Sequence, residues 1–182
     1  MTKAKSNVVT DFVAPIVVLV LICAVMSGLL AATNSVTAPI IDEAERAANE
    51  AARLEVLSNA DTFEQVEAQG LPDTVKEVYK AANGAGYTFS ITAQGYGGKN
   101  TLKMAVGVDT DGKITGTKVL SHKETVGLGS KITTDQRFIG DFLGKGASEI
   151  DGIDRISGAT FSSNYDKAAI KDALAAFELV KG

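Results

Sequence analysis

Hydrophobic and polar positions along the chain follow three successive patterns. Residues 12–32 read FVAPIVVLVLICAVMSGLLAA, with no charge and with Ser27 as the one strongly hydrogen-bonding side chain. At a rise of about 1.5 Å per residue, a helix of this length matches a hydrocarbon core of roughly 30 Å, so the run predicts a transmembrane helix. Pro15 falls in its first turn, where a missing N–H costs little. A cleaved signal peptide has a shorter apolar core, about 7–15 residues, so the length here predicts a retained anchor.

Residues 39–57 change to helical spacing: Ala44, Ala47, Ala48, Ala51 and Leu54 recur with Glu and Arg between them. Pro39 in a first turn, with Asp42 and Glu43 just inside, predicts a separate second helix. That helix is either a stalk offering a face to a partner subunit or a solvated helix packed lightly on its own domain.

The centre alternates instead. Tyr87, Phe89, Ile91 and Ala93 interleave with Thr88, Ser90, Thr92 and Gln94, the period of a half-buried strand. Leu102, Met104, Val106 and Val108 repeat the pattern, and residues 113–121 resume it beyond Asp109-Thr-Asp-Gly112, so Asp111-Gly112 predicts a hairpin turn. Residues 75–81 fit either a strand or a short helix. In the last segment Ala169, Ile170, Ala173, Leu174, Phe177 and Val180 form the apolar face of a helix, and Asp166, Lys167, Lys171 and Glu178 are assigned mostly to the other face.

These patterns predict an α+β fold, in which one N-terminal transmembrane helix precedes one domain whose antiparallel sheet is packed by helices. The expected organisation is a cytoplasmic N-terminus over 1–11, the transmembrane helix over 12–32, a helical stalk over 33–60 and an extracytoplasmic domain over 61–182. Lys3 and Lys5 precede the span, and the next basic residue after it is Arg46. The positive-inside rule therefore predicts a single-pass protein of the cell (inner) membrane with its N-terminus in the cytoplasm.

Composition narrows the chemistry. About 150 residues follow the span, enough for one domain with its own core. A net charge of −4 with scattered Lys and Arg argues against nucleic acid as a partner. The single cysteine, Cys23, lies in the apolar run, and His122 is the single histidine. An internal disulfide, an iron–sulfur cluster and a metal site of several histidines are thereby excluded, so redox chemistry here requires an organic cofactor.

Three polar segments carry candidate chemistry. Gly95-Tyr-Gly-Gly98 separates two strands and, taken alone, reads as a wide hairpin turn. His122-Lys-Glu-Thr-Val-Gly-Leu-Gly129 mixes donors and acceptors with one leucine, a combination suited to a flat ring with a polar edge. Asp154-Arg-Ile-Ser-Gly-Ala-Thr160 offers the Thr160 hydroxyl among small residues at a helix start. Such a hydroxyl is an ordinary N-cap, or it marks an anion site, because the first N–H groups of a helix suit a phosphate.

These three segments behind one N-terminal anchor resemble the covalent-flavin domain of RnfG and NqrC. Those proteins are subunits of the ion-translocating Rnf and Na⁺-NADH:quinone oxidoreductase complexes, and the short length here looks more like RnfG. The resemblance implies that 61–182 is an FMN-binding domain. It implies that Thr160 carries FMN through a phosphoester made by a separate, FAD-consuming flavin transferase. Ser157, Gly158, Ala159 and the helix start then hold the phosphate, and Asp154 orients the motif or assists the transferase's metal. Glu124, Thr125, Leu128 and Gly129 contact the isoalloxazine ring, while Gly97 and Gly98 let backbone approach the phosphate or ribityl chain. Val126 stands where the family usually has proline, which leaves that loop less rigid.

The resemblance thus implies an electron-carrier subunit of a membrane-bound ferredoxin:NAD⁺ oxidoreductase. Such a subunit has FMN as its cofactor, no metal and no catalytic residue of its own, and the other membrane subunits of the complex as partners. The equivalent subunit of the quinone-reducing complex is a variant of this reading. Two other classes compete with it. One is a membrane-tethered interaction module in which Thr160 caps a helix and the glycine loops are turns. The other is a free-standing flavoprotein reductase, against which the scarcity of histidine and cysteine and the lack of an acid–base pair both count.

Overall fold

The computed structural model describes residues 12–181. The expectations for 1–11, including the charges of Lys3 and Lys5, lie outside the described residues. The chain forms two compact units divided after Arg46.

In the first unit, helix α1 (Ala14–Val56) begins, and Pro39 lies within it. The separate second helix expected from Pro39 is therefore the continuation of the first. Proline costs α1 the bond that residue 39 would donate to the Ser35 carbonyl, but its fixed φ is helical. Thr33, Ser35 and Thr37 return their hydroxyls to the carbonyls of Leu29, Ala32 and Thr33, so these polar side chains need no outside partner. Among the described residues, the large apolar side chains from Phe12 to Leu30 are exposed. Among the described residues, this is one helix long and apolar enough to cross a membrane.

The second unit is a five-stranded sheet. Strands β1 (Phe63–Val66), β2 (Val75–Ala81), β3 (Tyr87–Gly95), β4 (Gly98–Val108) and β5 (Ile114–His122) lie in chain order, each antiparallel to the next. Residues 75–81 are thus a strand, and β1 is an edge strand that the periodicity does not predict. Alternation on β3 and β4 has the expected consequence: Phe89 pairs with Val106 and Ile91 with Met104, and all four are buried on one face. Between β5 and the last helix run a 3₁₀ turn (Gly129–Thr133) and the short helix α2 (Gln136–Gly140), which is capped by Asp135. Helix α3 (Thr160–Val180) covers the buried face with Ala169, Ile170, Ala173, Leu174 and Phe177. Phe177 meets Tyr87 edge-on at 5.7 Å between ring centroids.

The last turn of α1 packs on the other face through Ala52 and Val56, against Ala105 and Leu120. Gly107 and Gly116 are paired across β4 and β5 and leave a flat patch there. A Cβ on Gly107 would stand 2.2 Å from the Val56 carbonyl oxygen, which instead accepts the Thr115 hydroxyl at 2.5 Å.

The polar face expected on α3 is corrected at two positions. Asp166 and Lys167 are buried, 3% and 7% exposed. The first turns of α3 are enclosed on more sides than the sheet alone provides. The loop before the helix wraps one flank, where the Lys167 ammonium donates to the carbonyls of Asp151 (3.0 Å) and Ile153 (2.7 Å).

Candidate functional site

Three chain segments meet at the start of α3, and one carboxylate joins them. Glu124 follows the end of β5 and is buried. Its Oε1 accepts the Tyr96 N–H at 2.7 Å from the β3–β4 turn, and its Oε2 accepts the Ser162 hydroxyl from the first turn of α3. Two glycines make room for it. A Cβ on Gly95 would stand 2.5 Å from Oε1, and one on Gly129 would stand 2.6 Å from Oε2. Buried carboxylates need such donors, because the desolvation cost of an unpaired charge is severe. The Glu124 N–H in turn donates to Nδ1 of His122 at 3.2 Å.

Two turns of the same kind flank this carboxylate. The Leu128 N–H donates to the Thr125 carbonyl at 3.2 Å with Gly127 at φ +77°, and the Ala159 N–H donates to the Ile156 carbonyl at 2.9 Å with Gly158 at φ +80°. A positive φ at the third position is what a type II turn requires, and glycine adopts it without strain. The second turn is tied to the helix by Ser163, whose hydroxyl accepts the Ile156 N–H and donates to the Ala159 carbonyl.

The N-cap expectation for Thr160 is corrected. Thr160 is the first helical residue and Ala159 occupies the cap position, with no side-chain cap. The Thr160 side chain is exposed, and the first N–H groups of α3 are left without a hydroxyl from their own helix.

Thr160 lies on an open cleft of about 200 Å³, which also takes in Thr125, Leu128, Gly129, Gly158 and Ala159. Glu124 sits behind this cleft, with both carboxylate oxygens engaged by the protein. Asp154 and Ser157 lie on the other side of Thr160, along a groove of about 410 Å³ that includes Arg155 and Lys167. Desolvation holds the Lys167 ammonium pKa below the usual lysine value. Gly97 and Gly98 lie outside the cleft. The bare Cα of Gly97 packs on Lys123, whose carbonyl oxygen would be 2.7 Å from an added Cβ, and Gly98 turns the chain at φ +115°.

Sequence reasoning missed three residues of the cleft: Tyr96, Phe161 and Ser162. Tyr96 and Phe161 are both exposed, and their rings are 6.5 Å apart at 50°. Two aromatics within or beside the glycine-rich motifs were the available signal, since exposed rings beside a cleft suit a flat ligand.

The FMN-binding domain family matches residues 95–175, a span that contains all three segments. The chain is 37% identical over 150 residues to the G component of the Na⁺-translocating ferredoxin:NAD⁺ oxidoreductase complex of Acetobacterium woodii, covering 72% of this chain and 69% of that protein. It is 32% identical over 171 residues to the G component of the ion-translocating oxidoreductase complex of Methanosarcina acetivorans, covering 87% and 88%.

The chain belongs to the RnfG family of ion-translocating oxidoreductase subunits. A third relative, the G component of the proton-translocating ferredoxin:NAD⁺ oxidoreductase complex of Clostridium ljungdahlii, is 28% identical over 169 residues, covering 86% of each chain. Relatives in this family thus carry both sodium and proton in their names. The matched span contains every residue that lines the cleft at Thr160.

Proposed function

We propose that this RnfG-family chain is an electron carrier of a membrane-bound ferredoxin:NAD⁺ oxidoreductase, with FMN joined to the Thr160 hydroxyl by a phosphoester. The observation that carries the proposal is the position of Thr160. Its exposed hydroxyl stands at a helix start with no side-chain cap, on the cleft where the three segments meet. A phosphate suits the free N–H groups there, and Tyr96, Leu128 and Phe161 offer apolar surface to a flat ring.

The residues have distinct tasks in this reading. Thr160 supplies the ester oxygen. A threonine hydroxyl is a weak nucleophile, so its proton leaves to a base supplied by the flavin transferase during maturation. Ser157, Gly158 and Ala159 keep the approach to that hydroxyl unhindered, and Asp154 faces the transferase from the adjoining groove. Thr125, Leu128 and Gly129 border the ring. Glu124 sets the spacing of the segments from behind the cleft, with its oxygens engaged by Tyr96 and Ser162. FMN supplies reversible electron transfer when bound. The anchor holds the domain outside the membrane with the N-terminus in the cytoplasm, beside the other membrane subunits, and a covalent link prevents loss of the cofactor there.

The test is co-expression with a flavin transferase, followed by a denaturing gel viewed under ultraviolet light. A fluorescent wild-type band and a dark Thr160→Ala band are expected. A dark wild-type band, or equal fluorescence in both, sinks the attachment.

A further inference from the structure

A second carboxyl lies behind the first turn of α3. Asp166 follows Ser162 by four residues and so shares its helix face one turn on. It is 3% exposed, and its Oδ1 makes no hydrogen bond. An isolated charge in such a place is costly, and a carboxyl there keeps its proton instead. Asp166 also lines a cavity of about 270 Å³ with Glu55, Thr117, Lys118, Thr133 and Gln136. That space is large enough for several waters, and the hydroxyls and the amide in its lining offer hydrogen-bond partners for them.

The other ionisable groups around it are engaged elsewhere. Lys118 of β5 and Glu55 of α1 bind one another at 2.9 Å across the cavity wall. The 3₁₀ turn and α2 contribute only uncharged side chains to its lining among the described residues. Lys167, next to Asp166 on α3, is turned to the backbone carbonyls of Asp151 and Ile153. His122 is engaged by the Glu124 N–H. Glu124 is left as the charge that acts on Asp166. Burial first, and the Glu124 charge second, push the Asp166 carboxyl up to about 7.

The geometry points to Asp166 as a proton-binding site, filled from solvent through this cavity and coupled through Glu124 to the cleft at Thr160. When a one-electron carrier delivers an electron to the cleft, the carrier is oxidised by one electron and the group held in the cleft is reduced by one. The added negative charge, beside that of Glu124, raises the proton affinity of Asp166. Where the pH leaves the Asp166 carboxyl ionised before reduction, one proton from water then binds it, so the charge gained in the cleft is matched at Asp166. This coupling step rests on the proposed position of FMN, whereas the proton site does not.

The test uses the full chain in detergent, with ¹³C-labelled aspartate and glutamate. Before flavin loading, the Asp166 carboxyl resonance is expected to titrate near neutral pH, to vanish in Asp166→Asn and to move to lower pH in Glu124→Gln. Titration in the ordinary carboxylate range overturns the proton site, and titration at an unchanged pH in Glu124→Gln overturns its coupling through Glu124. In the flavin-loaded chain, a redox titration with dye mediators is expected to show a potential that falls more steeply with pH in wild type than in Asp166→Asn. Equal slopes overturn the coupling. Loading is read separately by in-gel fluorescence. A chain that takes no flavin at Thr160 counts against the proposed function, and the first titration still decides the proton site.

Discussion

The Ser162 hydroxyl donates to the Glu124 carboxylate, joining the first turn of α3 to the segment after β5. Because the same carboxylate holds the Tyr96 N–H, one buried charge sets the distance between the three segments that form the cleft.

Ser162→Ala removes one of these donors and leaves the Glu124 carboxylate buried. A hydrogen bond to a charged group contributes about 1.5–3 kcal/mol, so a loss of that order is expected in urea denaturation. Glu124→Ala should cost more, since it strips a partner from Ser162 and from the Tyr96 N–H together. A Ser162→Ala chain as stable as wild type refutes the role of the clasp.

Asp166→Asn should change the pH dependence of stability. The folded carboxyl titrates at about 7, above its ordinary value of 3.8. Between those values the folded state holds the proton more tightly, so this group's contribution is full below the unfolded pKa and is lost as pH rises through the folded one. Asparagine, neutral throughout, should therefore gain on wild type by up to about 1.4 kcal/mol per pH unit across that window and level off above it. Denaturation at pH 5 and pH 8 measures the difference. An advantage that does not grow with pH contradicts the assignment.

Val126→Pro should stabilise the domain. Val126 is the second residue of the turn closed by Leu128 and Thr125, where the fixed φ of proline fits, and at 90% exposure it gives up no packing. The gain comes from a stiffer unfolded chain and amounts to roughly 0.4–1 kcal/mol. A lowered melting temperature would mean that the backbone at 126 is not in that conformation.

Gly107→Ala should loosen the end of α1 from the sheet. Its Cβ would fall 2.2 Å from the Val56 carbonyl oxygen, and that backbone has no room to yield while Thr115 holds the same oxygen. Overpacking of this kind costs about 1–3 kcal/mol. Faster amide exchange around Val56 is the expected signature, with α3 unaffected.

Much of this architecture is determined by the sequence alone, because periodicity reports which face of an element is covered. Two-residue alternation marks β3, β4 and β5, and helical spacing marks the face of α3 from Ala169 onward. The length of the apolar run marks a helix able to cross a membrane. The three motifs were also legible as motifs, since small residues, glycines and an available hydroxyl are properties of local composition.

The tertiary structure alone decided what depends on neighbours distant in sequence. Tyr96 and Phe161 become one aromatic pair, and Glu124 becomes a clasp between segments, only once β3, β4, β5 and α3 are assembled. β1 is too short to show a period, and it is recognised only through its pairing with β2. Asp166 reads as a surface residue in a helical pattern because polarity is averaged around the helix. It nonetheless stands four residues before Ile170 and seven before Ala173, on the face that α3 turns to the core, and its enclosure there comes from β5, the 3₁₀ turn and α2, which are distant in sequence.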